Sequence, residues 1–176
     1  MTSLRLLWLP ILAMAVVIVA SNILVKIPIN DLWTWGAFTF PFAFLITDLT
    51  NRFHGAANAR TVVFAGFGIG VLASLVFADP RIAAASGIAF LAAQLLDVGI
   101  FNKLRNLKWW IAPFTSSVIS NILDTWLFFF LAFVATGANW YGWAFGDLLV
   151  KWSVSLAALI PYGIIVLRNR VNPASA

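Results

Sequence analysis

The sequence predicts an all-α integral membrane protein of six transmembrane helices, and three observations predict it. The first is composition: 62% of the 176 residues are hydrophobic and only 10% are charged, against roughly 45–50% and about 25% in soluble domains. So few charges cannot cover a surface that faces water. The second is segmentation into six apolar runs close to the ~20 residues that a helix needs to cross ~30 Å of hydrocarbon. The third is the placement of the basic residues, which cluster in alternate connections.

Each span has its own justification. The run 6–25 follows Arg5 and is too long for a secretory h-region of about 7–15 residues. The best cleavage position, after Ala20, has Ile18 where a small residue is needed, so the run reads as a retained helix. The second span, 35–52, carries Asp48, and the third, 61–78, is free of charge. Within the third, Gly66, Gly70 and Ser74 recur every four residues on one face, a small-xxx-small pattern for close helix packing. The string Gly66, Gly68, Gly70 is no phosphate loop, because no Lys-Ser/Thr follows it. Asp79-Pro80-Arg81 reads as a tight turn into the fourth span, 82–101, with an Ala-rich start and Asp97. The fifth, 109–135, contains Asp124, and the sixth, 148–167, contains Lys151. Connections of around ten residues leave no room for an aqueous domain, so 1–176 is expected to form a single transmembrane domain. The polar tail 169–176 is expected to be disordered.

Orientation follows from charge. With a cytoplasmic N-terminus, Arg5, Arg52, Arg60, Lys103, Arg105, Lys108, Arg168 and Arg170 fall inside, and only Lys26 and Arg81 outside. That bias predicts both termini in the cytoplasm. Trp8, Trp33, Trp35, Trp109, Trp110, Trp140 and Trp143 lie near span ends, as interfacial anchors do. Trp126 and Trp152 fall inside spans.

An ionisable side chain at mid-membrane costs about 2.5–3.5 kcal/mol on insertion scales, so such residues face the protein interior or a wet cavity. Four spans carry one. Gln94 with Asp97 and Asn121 with Asp124 are spaced by three, placing each amide on the face of its carboxylate. At 1.5 Å per residue, Ser21, Asn22, Asp124 and Lys151 fall in the outer half, and Asp48, Arg52, Gln94 and Asp97 in the inner half. The outer layer, a carboxylate, an ammonium and amides, suits a small, flat, polar solute that is not an anion. A carboxylate accepts an N–H/NH₂ edge such as that of guanine, and an amide or Lys donates to a carbonyl. Trp126, Trp152 and the many Phe side chains offer stacking faces. The inner layer, two Asp beside Arg52, reads as a gate or an ion-paired lock.

Other classes fit less well. Cys is absent, which removes disulfide and thiolate chemistry, and no cofactor or metal site is expected. The net charge of +5 is spread over short connections as a topology signal, so no nucleic-acid partner is expected. An acid–base dyad needs two aspartates that meet, whereas Asp97 and Asp124 are expected at different depths. His54 lies in a cytoplasmic segment beside Arg52, where a loop role suits it better than catalysis.

The stretch from Trp35-Gly36-Ala37-Phe38-Thr39-Phe40-Pro41-Phe42 through Thr47-Asp48-Leu49-Thr50-Asn51-Arg52, with Gly55 and Ala59-Arg60, resembles the bacterial queuosine precursor transporter family, also called the VUT family. Ser21-Asn22, Gln94 with Asp97-Val98, Phe101-Asn102 and Leu104, and Trp110, Pro113, Thr115-Ser116, Asn121 and Asp124-Thr125 before a Phe run extend the likeness over nearly the whole chain. The resemblance implies uptake of 7-cyano-7-deazaguanine and 7-aminomethyl-7-deazaguanine across the bacterial inner membrane. It also implies a six-helix fold similar to the substrate-binding subunits of vitamin transporters. On that footing Asn22, Gln94, Asn121, Asp124 and Lys151 are the candidate substrate-binding residues, and Asp48, Arg52 and Asp97 line the inner path. The alternative is a binding subunit for a vitamin or other small polar solute, which would need a separate ATPase because no ATP motif is present.

Overall fold

The computed structural model describes residues 3–25, 27–29, 33–77 and 79–171. Lys26, Ala78 and 172–176, most of the tail expected to be disordered, lie outside the described residues. In chain order the helices are α1 (Ser3–Leu24), α2 (Trp35–Thr39), α3 (Pro41–Phe77), α4 (Pro80–Leu104), α5 (Ile111–Phe133) and α6 (Tyr141–Val171). A 3-10 turn, Val134–Thr136, closes α5 and ends at Gly137 with φ 71°. Among the described residues there is no strand, only an isolated bridge between Pro28 and Thr34. Five segments are long and apolar enough to cross a membrane, and one of them, Trp35–Ser74, is 40 residues long, twice what a crossing needs.

That long segment is not straight. Gly55 sits at φ 84°, ψ 167° inside α3, a left-sided φ that a residue without Cβ adopts at no steric cost. Phe40 and Gly70 line the same small cavity, although thirty residues of continuous helix would hold them about 45 Å apart. The chain therefore folds back at Gly55 into the limbs 41–54 and 56–77. The cytoplasmic connection expected between 52 and 61 is helical on both sides of one hinge residue.

Other boundaries shift for identifiable reasons. Asp79 is the N-cap of α4, its Oδ1 accepting from Arg81 N at 2.9 Å, with Pro80 in the first turn, a pairing that starts helices. The sixth helix begins at Tyr141 rather than 148, which brings Asp147 into it one turn before Lys151, with which it pairs. It also runs on to Val171, so 169–171 are helical rather than part of a loose tail.

Packing inverts the usual soluble arrangement. Leu72, Ile160, Ile164 and Trp8 are exposed, while Asp48, Asn51, Gln94, Asp97, Asn121, Asp124 and Lys151 are buried. An apolar exterior around a polar interior is the pattern of a membrane-embedded chain. The glycine face of α3 holds α1: a Cβ on Gly66 would come within 2.6 Å of Met14 Cγ and 2.9 Å of Ile18 Cδ1, and one on Gly70 within 3.4 Å of Ile18. Met14 and Ile18 share a core with Ala43, Val62, Val63, Phe90 and Val98. A second core joins Phe101, Ala112, Tyr162 and Val166. Both leave the polar stripes of α3, α4, α5 and α6 facing one another.

Candidate functional site

A cavity opens between α1, α2, α3, α4, α5 and α6 and has about 780 Å³ of empty space counted out through its open mouth. Its wall carries three charged residues, Asp124, Asp147 and Lys151, beside Ser21, Asn22, Ser74 and Ser86 and the rings of Phe40 and Phe128. The charged wall therefore sums to one negative charge.

Helix periodicity builds the charged knot. Asp147 and Lys151 are one turn apart on α6, and Asp124 and Thr125 face them from α5. Lys151 Nζ lies 2.8 Å from Asp124 Oδ2 and 2.6 Å from Asp147 Oδ2, and its third donor reaches Thr125 Oγ1 at 3.2 Å. Thr125 in turn donates to Asp147 Oδ2 at 3.0 Å. The ammonium also lies 5.3 Å from the centre of the Phe40 ring. All three protons of Lys151 are thus engaged, which leaves none for a solute carbonyl, the contact expected of it. The charged acceptors left over on the cavity wall are the second oxygens of Asp124 and Asp147. Such a wall receives a solute that brings donors.

Asn22 lies on the wall as expected. Its amide donates to Ile18 O at 2.9 Å and its oxygen accepts from Ser74 at 3.3 Å, so one N–H remains for a carbonyl. Gln94 and Asn121, expected beside the solute, are not on this wall. Gln94 accepts from Thr47 Oγ1 at 2.6 Å and Asn121 donates to Ser155 Oγ at 2.9 Å. Both spacing arguments put the amides on the interior face, but that face meets α3 and α6 before it meets the cavity. Gln94 Nε2 and Asn121 Oδ1 are left unpaired.

The inner residues form a second cluster. Thr47 Oγ1 donates to Gln94 Oε1 at 2.6 Å and Asn51 Nδ2 to Val98 O at 3.1 Å, and these bonds between α3 and α4 set Asp48 and Asp97 in one interface, with Ser116 of α5 beside Asp48. Ser116 and Ser117 donate to Asp48 only at 3.4 and 3.5 Å, and neither oxygen of Asp97 meets a donor in hydrogen-bond geometry. Arg52 does not join them: its guanidinium donates to Arg105 O, and Arg105 Nη2 donates back to Arg52 O at 3.2 Å. The ion-paired lock expected here is thus replaced by a backbone clasp that ties the end of the first α3 limb to the end of α4. Asp97 and Asp124 belong to different clusters.

Asp147, Phe40 and Phe128 are the functional candidates that sequence reading missed. The i, i+4 spacing of Asp147 and Lys151 was visible, but a span begun at 148 cut it. Trp126, a stacking candidate, packs instead with Trp140, Tyr141 and Phe145, and Trp152 Nε1 donates to Val118 O. Among the described residues no group of three or more His, Cys, Asp or Glu converges as a metal centre requires.

Comparison with known proteins gives one consistent picture. Residues 34–79 and 71–166 match the family described as "Putative vitamin uptake transporter". The chain is 38% identical over 180 residues to the "Queuosine precursor transporter" of Escherichia coli K12, covering 85% of this chain and 81% of that protein. It is 34% identical over 192 residues to the "Probable queuosine precursor transporter" of Haemophilus influenzae, covering 85% and 82%. A Bacillus subtilis protein of that name is 26% identical over 159 residues, covering 73% and 69%. No solved structure gives a significant match.

Proposed function

The chain belongs to the vitamin uptake transporter family, and on that premise we propose that it is an uptake transporter of the bacterial inner membrane for 7-cyano-7-deazaguanine and 7-aminomethyl-7-deazaguanine. Its relatives carry the name of queuosine precursor transporters, and the cavity chemistry suits such bases. The carrying observation is the pair of carboxylates on the cavity wall whose shared ammonium is already spent. Asp124 receives the N–H/NH₂ edge of the base, Asn22 donates to its carbonyl, and Phe40 and Phe128 cover its faces. Asp147 faces the 7-substituent and pairs with it when that substituent is an ammonium. Lys151 holds the two carboxylates in register. Gln94 and Asn121 support α3 and α6 behind the site, and Asp48, Arg52 and Asp97 belong to the inner path.

The whole chain forms one transmembrane domain of six crossings, α1, the two limbs of α3, α4, α5 and α6, with both termini cytoplasmic. The reversal at Gly55 and the distribution of basic residues support that topology. No cofactor enters the reading. Since the relatives are transporters, we assign no catalytic residue.

Uptake in a queuosine-auxotrophic host tests the proposal. Cells with the protein should make more queuosine-modified tRNA from external precursor than cells without it, and equal amounts would refute it. The family description favours a second reading, a vitamin-binding subunit energised by an ATPase partner. Transport by the purified protein alone in liposomes would remove the need for that partner.

A further inference from the structure

The inner cluster has a chemistry that solute binding does not use. Asp48 and Asp97 are 2% and 0% exposed, and the Thr47–Gln94 and Asn51–Val98 hydrogen bonds hold their helix turns against each other. The ion pairs among the described residues are both made by Lys151, and Arg52, the nearest cation along α3, is turned to the Arg105 carbonyl. Two desolvated carboxylates side by side, with no cation between them, repel one another as anions, and one proton shared between them relieves that repulsion. A second observation is independent of the pair. Asn51 and Gln94, one helical turn from Asp48 and Asp97 and both 0% exposed, leave Asn51 Oδ1 and Gln94 Nε2 without partners. The region is polar, buried and short of hydrogen bonds.

Position gives the cluster its meaning. Asp48 follows the cavity residue Phe40 by eight positions and Asp97 follows Ala89 by eight, so each lies about 12 Å along its helix from the cavity. The pair forms a layer inward of the solute site, where α3, α4 and α5 meet. The groups facing it are Ser116 and Ser117 of α5 and Thr47 with Gln94 between α3 and α4. From α6, Tyr162 and Ser155 border the small cavity that Asp48 also lines. Lys151 is held one layer outward by Asp124 and Asp147.

We propose that Asp48 and Asp97 form a binding site for one proton, which is taken up from the outside and released to the cytoplasm as the solute crosses, making the protein a proton-coupled transporter. The proton forms an O–H on one carboxyl and is hydrogen-bonded by the other carboxylate; its loss leaves two anions side by side and drives the α3–α4 interface apart. The inference rests on the transport reading of the preceding section.

Purified protein in liposomes tests this with 7-cyano-7-deazaguanine, which is uncharged, so its accumulation does not respond to membrane voltage by itself. A gradient of about one pH unit, acid outside, should drive accumulation toward about tenfold, the ceiling for one proton per neutral solute. A protonophore should abolish the accumulation and a sodium gradient should not replace it. Counterflow, the exchange of labelled for unlabelled solute, needs no driving force and separates the two failures. Counterflow with no response to the pH gradient overturns the proton site and leaves transport standing; absence of both overturns the transport reading itself. Asp97→Asn and Asp48→Asn should retain measurable counterflow yet lose the pH response, and Asp97→Glu should restore it. A pH response in Asp97→Asn and Asp48→Asn equal to that of the parent overturns the assignment, and the parent measurement stands even where a variant does not fold.

Discussion

Replacing Lys151 by Met removes the one cation on the cavity wall and leaves Asp124 and Asp147 facing each other. Removing one partner from a buried ion pair costs about 3–5 kcal/mol, because the remaining charge stays desolvated. Here two carboxylates lose their partner, but unequally: the Asp124 side chain is 4% exposed and that of Asp147 is 16% exposed, so water from the cavity relieves the second. A total near 4 kcal/mol follows from that range, and at about 2–4 °C per kcal/mol for a chain of this size the melting temperature should fall by about 8–16 °C. Thermal unfolding of the purified protein, read by fluorescence-detected size exclusion in one detergent, measures the shift. The two exposures also predict a ranking: Asp124→Asn with Lys151→Met should recover more of the loss than Asp147→Asn with Lys151→Met. A shift below about 2 °C for Lys151→Met would mean that the triad does not carry the energy assigned to it, and the opposite ranking would refute the burial argument.

Four further outcomes follow from other contacts. Gly66→Leu should loosen α1 by about 1–3 kcal/mol through overpacking, seen as a lower melting temperature, while Gly68→Ala should stay near the parent because nothing lies within 4 Å of that position. Gly55→Ala forces a side chain into φ 84° and should cost about 1–3 kcal/mol, read in the same melt; no loss would mean that the hinge does not need that conformation. Asp124→Asn should weaken binding of both deazaguanines in direct titration by about tenfold or more, the value of one charge-assisted hydrogen bond, and Asp147→Asn should weaken the aminomethyl base more than the cyano base. Because the chain lacks Cys, a single Ser86→Cys on the cavity wall should react with a thiol reagent and be protected by bound precursor; unprotected labelling would place the solute elsewhere.

How much of this was legible without coordinates depended on whether the signal was local. Apolar length is local, so the membrane character and the approximate place of each span came from the residues themselves, as did a packing role for Gly66 and Gly70, since a four-residue spacing fixes a helix face, though not that α1 is the helix they receive. The rule that a charge in an apolar run needs a polar partner also singled out Asp48, Asp97, Asp124 and Lys151. What the rule lacks is the identity of the partner. Whether Arg52 pairs with Asp48 or clasps Arg105, whether Lys151 keeps a proton for a solute or spends all three, and whether Gln94 meets the cavity or Thr47 are settled by atoms that lie 27 to 53 positions apart in the chain. Periodicity assigns a side chain to a face, and only the packing of helices decides what that face touches. The sequence by itself therefore determined a lipid-facing exterior and two layers of polar groups held inside it, while tertiary structure alone decided which of those groups share a cavity wall, which spend their donors on one another, and which carboxyls are left without a cation.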